Sequence, residues 1–293
     1  MLDVLCVGHA SYDISMAARH HPEANEKILA DAMQLAGGGP AANAAVCVAR
    51  LGGKAGFCGY LGDDLFGTAH LHEFETECVD TSLIVRGNHP SPVSQILAKP
   101  DGSRSVVNFK AATPWMGANA VAISHTPKVM LFDGHEPLIS ISLCQWAKAN
   151  SIPTVLDAGS LHQGTQDLAG TVDYLVASEK FAVQFTGMDN PQLALQIMQE
   201  TADCVVITMG ESGLIWSKNG EAGSMKAFTV DVIDSTGSGD AFHGAFAYGL
   251  SLGMDWQMLL RYASAAGALT CTKLGARIAL PDAAQVQCLL DEH

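Results

Sequence analysis

Five short, unbroken apolar runs are spaced along the chain, and each ends near a glycine or a polar residue. They cover 2–8, 128–134, 152–159, 172–178 and 203–210. Runs of this length without polar alternation are typical of strands that are buried on both faces of a sheet. Helical patterns separate several of them, as at 138–149 and 190–200. This alternation predicts an α/β fold with a mostly parallel central sheet and helices on both of its faces.

Other regions alternate polar and apolar residues. The segment "VSQILAKPDGSRSVVNF" (93–109) predicts a β-hairpin, because its K-P-D-G stretch supplies turn residues between two alternating strands. Segments 12–18 and 27–36 fit further half-exposed strands. Together they predict a small β-sheet lid, formed from about 11–37 and 91–113.

The last third of the chain has helical patterns, over 238–252, 256–272 and 282–290, the last after Pro281 as a start signal. No internal repeat or low-complexity linker divides the sequence. A single α/β domain over 1–293 that carries the lid is therefore expected.

Charge and composition exclude several classes of partner. Sixteen Lys and Arg residues face thirty Asp and Glu residues, which gives a formal charge of −14 and opposes binding to nucleic acid or to an anionic membrane. Any phosphate must then be held locally, by backbone amides, a helix start or a metal ion. The sequence has no signal-peptide pattern and no membrane-length apolar stretch. Its eight cysteines lie mostly in apolar runs without a C-x-x-C pair, as expected for reduced thiols in a cytoplasmic protein.

Two glycine-bearing segments are candidates for binding chemistry. In "GGGPAANAA" (37–45), Gly37, Gly39 and Ala42 have the spacing of a dinucleotide fingerprint, but the segment does not follow the first buried strand. An ordinary helix start with Pro40 at its first position fits equally well.

The second segment, "DSTGSGDAFHGAF" (234–246), leads from a glycine loop into a helix and lacks the G-K-[ST] ending of a P-loop. Unpaired N–H groups at a helix start favour anions. Yet Asp234 and Asp240 flank the loop. A plain N-cap with an acid near the positive end of the helix dipole is the structural alternative.

Taken together, these motifs resemble those of the ribokinase-like (PfkB) carbohydrate kinases. The block D-S-T-G-S-G-D matches the family's D-[ST]-T-G-[AS]-G-D motif, and "GGGPAANAAVCVARLG" is similar to its N-terminal glycine motif. The landmarks "YLGDDLFG" (60–67), "TMGESG" (208–213) and "TKLGARIALP" (272–281) follow in the family's order. The resemblance spans essentially the whole chain. Its triple glycine and its F-H-G after the second Asp resemble most the subgroup that includes the sulfofructose and other ketose kinases.

The resemblance implies a ribokinase-like fold and an ATP-dependent sugar kinase that transfers the γ-phosphate to a hydroxyl of a small carbohydrate. Asp240 would be the general base, and the amides of Gly237, Ser238 and Gly239 would form the anion hole. The implied sugar contacts are Asp13, Gly38, Gly39, Asn43 and Asn108. The implied nucleotide contacts are Ser178, Thr208, Gly210, Gly213 and Ser264.

The implied ions are Mg²⁺ and, in many relatives, a monovalent cation such as K⁺. The family's N-x-x-E motif is altered to Ser178 and Phe181 here, which leaves Glu179 to order magnesium-bound water. Asp234 and Thr236 match the monovalent-cation site, although a turn-stabilising role for Asp234 fits equally well.

The acceptor stays open between a neutral ketose, a ribose-like sugar and a sugar that bears a sulfonate or phosphate. A nucleoside kinase of the same fold and a sugar- or nucleotide-binding sensor without catalysis are the alternative functions. A homodimer through the lid is expected, because a partner commonly covers the open edge or face of a small sheet.

Overall fold

The computed structural model describes residues 1–99, 103–110 and 113–292. Its strands in chain order are β1 (Val4–Val7), β2 (Ser11–Ala17), β3 (Ala32–Gly38), β4 (Ala55–Gly62), β5 (Asp80–Gly87), β6 (Val93–Ala98), β7 (Arg104–Phe109), β8 (Val129–Phe132), β9 (Thr154–Ala158), β10 (Tyr174–Ser178), β11 (Cys204–Thr208), β12 (Leu214–Lys218) and β13 (Glu221–Met225). Its helices are α1 (Pro40–Arg50), α2 (Leu65–Thr76), α3 (Pro137–Ala149), α4 (Gln163–Ala169), α5 (Glu179–Thr186), α6 (Pro191–Met198), α7 (Ser238–Ser251), α8 (Trp256–Thr270), α9 (Ala276–Ala279) and α10 (Ala283–Glu292).

The central sheet has the order β13-β12-β11-β10-β9-β8-β1-β4-β5. Strands from β5 to β11 pair in parallel, and only β12 and β13 run antiparallel at one edge. The predicted mostly parallel sheet is therefore confirmed. Because parallel strands put their carboxyl ends on one edge, the loops that follow β1, β8, β9, β10 and β11 meet there.

Two apolar clusters cover the two faces of this sheet. One packs α1, α7 and α8 against the sheet and includes Phe57 and Phe246. The other packs α3 to α6 against the opposite face and includes Phe132 and Phe181. Helices on both faces explain why the strand sequences are apolar without alternation. Among the described residues, no helix is long and apolar enough to cross a membrane.

A separate four-stranded sheet has the order β3-β2-β6-β7. β6 and β7 pair antiparallel, as the hairpin prediction requires, although the turn residues Pro100 to Gly102 lie outside the described residues, as do Ala111 and Ala112. The strand predicted over 27–36 begins only at Ala32, since the preceding segment is exposed and unpaired as strand.

The small sheet has one polar and one apolar face. Asp13, Ser94 and Asn108 are register partners on β2, β6 and β7, so their side chains lie on the same face, which is buried at Asp13 and Ser94. The opposite face exposes large apolar side chains, namely Met33, Leu35, Val107 and Phe109. Such a two-sided sheet explains the alternating sequence pattern.

Candidate active site

The loop that enters α7 is held in a conformation that requires glycine. Gly237 is the N-cap of α7 with φ of 80°, and a Cβ there would lie 2.5 Å from the Cβ of Ala276. Asp234 is buried and uses both carboxylate oxygens within the loop. Its Oδ1 accepts hydrogen bonds from the N–H and hydroxyl of Thr236, and its Oδ2 accepts one from the N–H of Gly275. Asp234 thus stabilises this turn and ties it to the segment before α9.

The start of α7 leaves backbone donors unpaired. Among the described residues, the N–H groups of Gly237, Gly239 and Asp240 have no acceptor, whereas Ser238 N–H lies 3.4 Å from the carbonyl oxygen of Ser235. A Cβ added at Gly239 would meet no heavy atom within 4 Å. An open space therefore faces free amides at the positive end of a 14-residue helix, which is an arrangement that suits a phosphate.

Asp240 lies at this helix start, and its carboxylate is fixed by Asn43 of α1. Asn43 Nδ2 donates to Asp240 Oδ2 over 2.7 Å. The orientation of the amide is set from its other side, because Arg277 Nε donates to Asn43 Oδ1 over 3.1 Å. Asn43 and Arg277 are only 2% and 4% exposed. Both hydrogen bonds are thus shielded from water, which strengthens them.

Arg277 extends this network to the first glycine segment. Its Nη2 lies 3.2 Å from His70 Nε2, and its Nη1 lies 3.6 Å from Glu73 Oε2. Glu73 Oε2 also accepts a hydrogen bond from the N–H of Gly37. A continuous chain of polar contacts therefore links Asp240 to the end of β3. Burial lowers the pKa of Arg277 to about 10, although Glu73 and Asp13 favour its charge.

Asp13 lies across from this chain at the glycine segment. Gly38 permits its approach, because a Cβ on Gly38 would lie 2.1 Å from Asp13 Oδ2. Gly39 has φ of 96°, and a Cβ there would lie 2.6 Å from the carbonyl oxygen of His9. The hydroxyl of Ser11 donates to Asp13 Oδ1. Asp13, Gly38, Gly39, Asn43 and Asp240 are thus brought together, and Asn108 is exposed on the face of the small sheet that carries Asp13.

Both carboxyl groups of this cluster bind protons more tightly than an ordinary Asp. Burial raises the pKa of Asp240, although the hydrogen bond from Asn43 and the charge of His243 lower it. Burial also raises the pKa of Asp13, opposed by hydrogen bonds from Ser11 and Ser94 and by the charge of Arg277. A raised pKa makes a carboxylate a stronger base while it stays largely ionised at neutral pH.

The predicted nucleotide contacts lie at the carboxyl ends of neighbouring strands. Ser178 and Thr208 are register partners in the parallel pair β10 and β11. Gly210 and Gly213 follow β11 with φ of 56° and 87°. The hydroxyl of Ser178 donates to the carbonyl oxygen of Gly159 and caps α5, so it also has a structural role.

Ser264 and Glu179 lie at the borders of this region. Ser264 is one turn before Gly267 of α8, where a Cβ would lie 3.0 Å from the carbonyl oxygen of Ser238, so Ser264 is on the side that faces the start of α7. Glu179 is exposed at the first position of α5, and in the described part of the chain its carboxylate makes no ion pair. Its oxygens suit the water shell of a hard cation. No group of three or more His, Cys, Asp or Glu side chains within 1–99, 103–110 and 113–292 could hold a metal ion.

Sequence reasoning gave no role to Arg277, Glu73 or Asp133. Asp133, at the end of β8, accepts hydrogen bonds from the N–H groups of His9, Ala41 and His135, and so joins the ends of β1 and β8 to the start of α1. These roles depend on contacts across 92 to 234 residues. The only available sequence signal was that Arg277 is a lone cation within an otherwise small and apolar landmark.

Free amides at a helix start beside a fixed carboxylate, at the carboxyl edge of a parallel sheet, define a phosphotransferase site. The chain belongs to the pfkB family of carbohydrate kinases, whose model matches residues 1–283. It is therefore an ATP-binding carbohydrate kinase, a phosphotransferase with an alcohol group as acceptor.

Individual proteins show the same similarity over full length. The chain is 28% identical to ribokinase of Bacillus subtilis strain 168, covering 99% of this chain and 100% of the relative. The crystal structure of a putative ribokinase from Agrobacterium tumefaciens matches with a TM-score of 0.90 at 27% identity, covering 99% of this chain and 98% of that one. Arabidopsis thaliana ribokinase complexed with ribose and ATP matches with a TM-score of 0.84 at 25% identity, covering 99% and 98%.

Proposed function

We propose that this carbohydrate kinase transfers the γ-phosphate of ATP to a hydroxyl of a small neutral sugar, with Asp240 as the general base. One observation carries the proposal. The Asp240 carboxylate, held by Asn43, lies directly beside the open helix start where Gly237 and Gly239 present free amides. A base and an anion site at one point are what transfer to an alcohol requires.

The reaction then proceeds with few groups. The acceptor O–H gives its proton to the Asp240 carboxylate as its oxygen forms a bond to the γ-phosphorus. The bond from the γ-phosphorus to the β,γ-bridging oxygen breaks, and ADP leaves with those electrons. The amides of Gly237 and Gly239 donate to the transferring phosphoryl oxygens and lower the energy of the charge that develops there. Asp240 later returns its proton to water.

The donor binds along the carboxyl ends of β10 and β11 in this proposal, near Ser178 and Thr208. The structural similarity to a ribokinase complexed with ATP supports this side of the sheet. Mg²⁺ bound with the nucleotide would neutralise phosphate charge, and Glu179 would hold its water ligands, since magnesium commonly combines one or two carboxylates with substrate phosphates.

An uncharged acceptor is favoured by the charges around the pocket. Asp13 and Asp240 both face it, and Arg277 is already engaged by Asn43 and Glu73. Burial lowers the pKa of His162 to about 4, so this imidazole at the same edge is neutral at physiological pH. A sulfonate or phosphate on the sugar would meet two carboxylates, whereas hydroxyls can donate to them. Ribose-like sugars and ketoses both satisfy these conditions.

An ADP-release screen over pentoses, ketoses, aldoses, sugar phosphates and nucleosides tests the proposal. Sugar phosphates belong in it because Lys110 is close enough to His162 to lower its pKa further. We expect the highest kcat/KM with a neutral sugar and loss of ADP release in Asp240→Asn. A panel without ADP above that background, while ATP or sugar still binds, would favour a sensor; a preference for nucleosides would indicate a nucleoside kinase.

A bound monovalent cation remains part of the proposal. Asp234 accepts three hydrogen bonds, and a carboxylate has about four acceptor positions, so one direction is left for a cation beside the loop. If K⁺ binds there, kcat in potassium chloride should exceed kcat in choline chloride at equal ionic strength, and Asp234→Asn should abolish the difference. Equal rates in both salts would restrict Asp234 to its turn-stabilising role.

We also propose a homodimer in which a second copy covers the apolar face of the small sheet. Val107 and Phe109 are 69% and 56% exposed there, and Met33 and Leu35 continue the patch. Contiguous apolar surface of this kind is a common interface. Sedimentation velocity at micromolar concentration should give a dimer, and Val107→Lys should give a monomer, whereas Val232→Lys, at a similarly exposed valine away from the sheet, should not. A monomeric parent chain would refute the dimer.

Finally, a reducing cytoplasmic location fits the thiols. All eight cysteines are free, and five of them are buried, including Cys6, Cys47 and Cys58. Buried free thiols are typical of proteins from reducing compartments. Fractionation of the native cells with an antibody tests this, and recovery outside the cytoplasm would contradict it.

A further inference from the structure

His243 lies one turn after Asp240 on α7 and is only 3% exposed. Its Nδ1 is 2.6 Å from the carbonyl oxygen of Gly239, on its own helix. Its Nε2 is 3.1 Å from the carbonyl oxygen of Val176, on β10. Nδ1 also lies 3.4 Å from Asp157 Oδ2, on β9. The ring thus bridges the start of α7 and two central strands.

The two carbonyl contacts determine the protonation state of the ring. A carbonyl oxygen can only accept hydrogen bonds, so each ring nitrogen that contacts one must carry a proton. A neutral imidazole carries a proton on one nitrogen only. Either neutral tautomer would direct a nitrogen lone pair at a carbonyl lone pair in a buried site, which costs the full desolvation penalty of both groups. An imidazolium satisfies both contacts, and Asp157 supplies a counter-charge.

We infer that His243 is a buried imidazolium that keeps Asp240 ionised and fixes the Gly239 carbonyl, and that it is thereby a positioning residue for phosphoryl transfer. The inference rests on the proposed role of Asp240 as the base. Gly239 and Asp240 belong to the turn whose N–H groups face the phosphate. Holding the carbonyl of Gly239 from within the core keeps that turn aligned when the phosphoryl group moves.

The surrounding groups agree with a cation at this position. Burial raises the pKa of both Asp240 and Asp157, and the charge of His243 lowers both. The titratable side chains of the packed elements are Asp240 on α7, Asp133 and Asp157 at the ends of β8 and β9, Cys6 on β1, Cys47 on α1 and Tyr262 on α8. Burial raises the pKa of the two thiols and of the phenol, so these three stay neutral. His243 is then the positive charge within a group of carboxylates.

Nitrogen-15 NMR of the histidine rings in the unmodified protein is the direct test. The ring of His243 is assigned by contacts to Gly239 and Phe242, so no variant has to fold. We expect both ring nitrogens to be protonated at pH 7. One unprotonated nitrogen at that pH would overturn the inference, whatever the activity of Asp240→Asn.

The pH dependence of kcat tests the coupling to Asp240. In His243→Asn the acid limb should move to higher pH by about 1 to 3 pH units, because an opposite charge at this range lowers a carboxyl pKa by that amount. At pH 7 kcat should fall about tenfold or more and recover in alkaline solution, with KM for the sugar within about twofold. His72→Asn, on the exposed side of α2, is the matched control.

An unchanged acid limb in a folded His243→Asn would refute the coupling. If Asp240→Asn is inactive in that case, the proposed function stands and only the role of His243 fails. If Asp240→Asn retains activity, the proposed function fails, and the NMR result still decides the charge of His243. The two failures are therefore distinguishable.

Discussion

The side-chain amide of Asn43 donates a hydrogen bond of 2.7 Å to the carboxylate of Asp240, across 197 residues of sequence. This contact joins the starts of α1 and α7, the two helices that follow the glycine segments. Its orientation is imposed from behind, since Arg277 holds the amide oxygen of Asn43. The catalytic carboxylate is therefore positioned by groups that are themselves buried and held in place.

Asn43→Asp should lower kcat about 10- to 100-fold at pH 7. The new carboxylate faces Asp240 and disfavours its ionised form, so the pKa of Asp240 rises and the acid limb moves to higher pH. Activity should recover partly in alkaline solution. Steady-state kinetics across pH measure this, with Asn119→Asp on an exposed loop as the control. A profile identical to that of the parent chain would show that the contact does not influence the base.

Arg277→Met should lower the free energy of unfolding by about 1–3 kcal/mol, because Glu73 and the oxygen of Asn43 lose their donor. Urea denaturation measures the loss. Arg277→Lys should not restore it fully, since one ammonium cannot reproduce the planar set of contacts to Asn43, His70 and Glu73.

The double variant Arg277→Met with Glu73→Gln separates charge from packing in this network. Removing the unpaired carboxylate should return part of the stability that Arg277→Met loses. Additive losses in the double variant would mean that Arg277 and Glu73 act independently.

Two glycines at the start of α7 offer a matched pair. Gly237→Ala should destabilise the fold by about 1–3 kcal/mol, because it places a side chain in the left-handed region and against Ala276. Gly239→Ala meets open space and should leave the unfolding midpoint equal or slightly higher. Its methyl group projects into the space proposed for the phosphate, so kcat/KM for ATP should fall at least about tenfold.

Thermal unfolding and kinetics on both variants separate stability from catalysis. Gly239→Ala with full activity would be incompatible with a phosphate bound at these amides.

Arg104 connects the small sheet to the same loop, since its Nη1 donates to the hydroxyl of Ser235 over 2.8 Å. Arg104→Met should leave the unfolding midpoint unchanged, because exposed contacts contribute little to stability. KM for the sugar should rise several-fold if this hairpin closes over the acceptor. Arg19→Met, another exposed arginine of the small-sheet region, should have no effect on KM. Equal KM values for both variants would argue against a lid.

The sequence predicted the parts of this molecule that depend on local patterns. Unbroken apolar runs predicted the central strands, and alternating segments predicted the small sheet. The glycine loops were found because backbone conformations such as that of Gly237 require a specific residue type. The partners of Asn43 and His243 could not be predicted, because they depend on how α7, α9, β9 and β10 pack. Strand register had the same limit, since it alone places Asn108 in line with Asp13.

The central claim is that Asp240 takes the proton of the acceptor hydroxyl. Single-turnover phosphoryl transfer by Asp240→Asn, combined with calorimetric binding of ATP and sugar, tests it most directly. We predict a rate about 10²- to 10⁴-fold below that of the parent chain, with both dissociation constants within a few-fold. A variant that transfers phosphate within about tenfold of the parent rate would contradict the account.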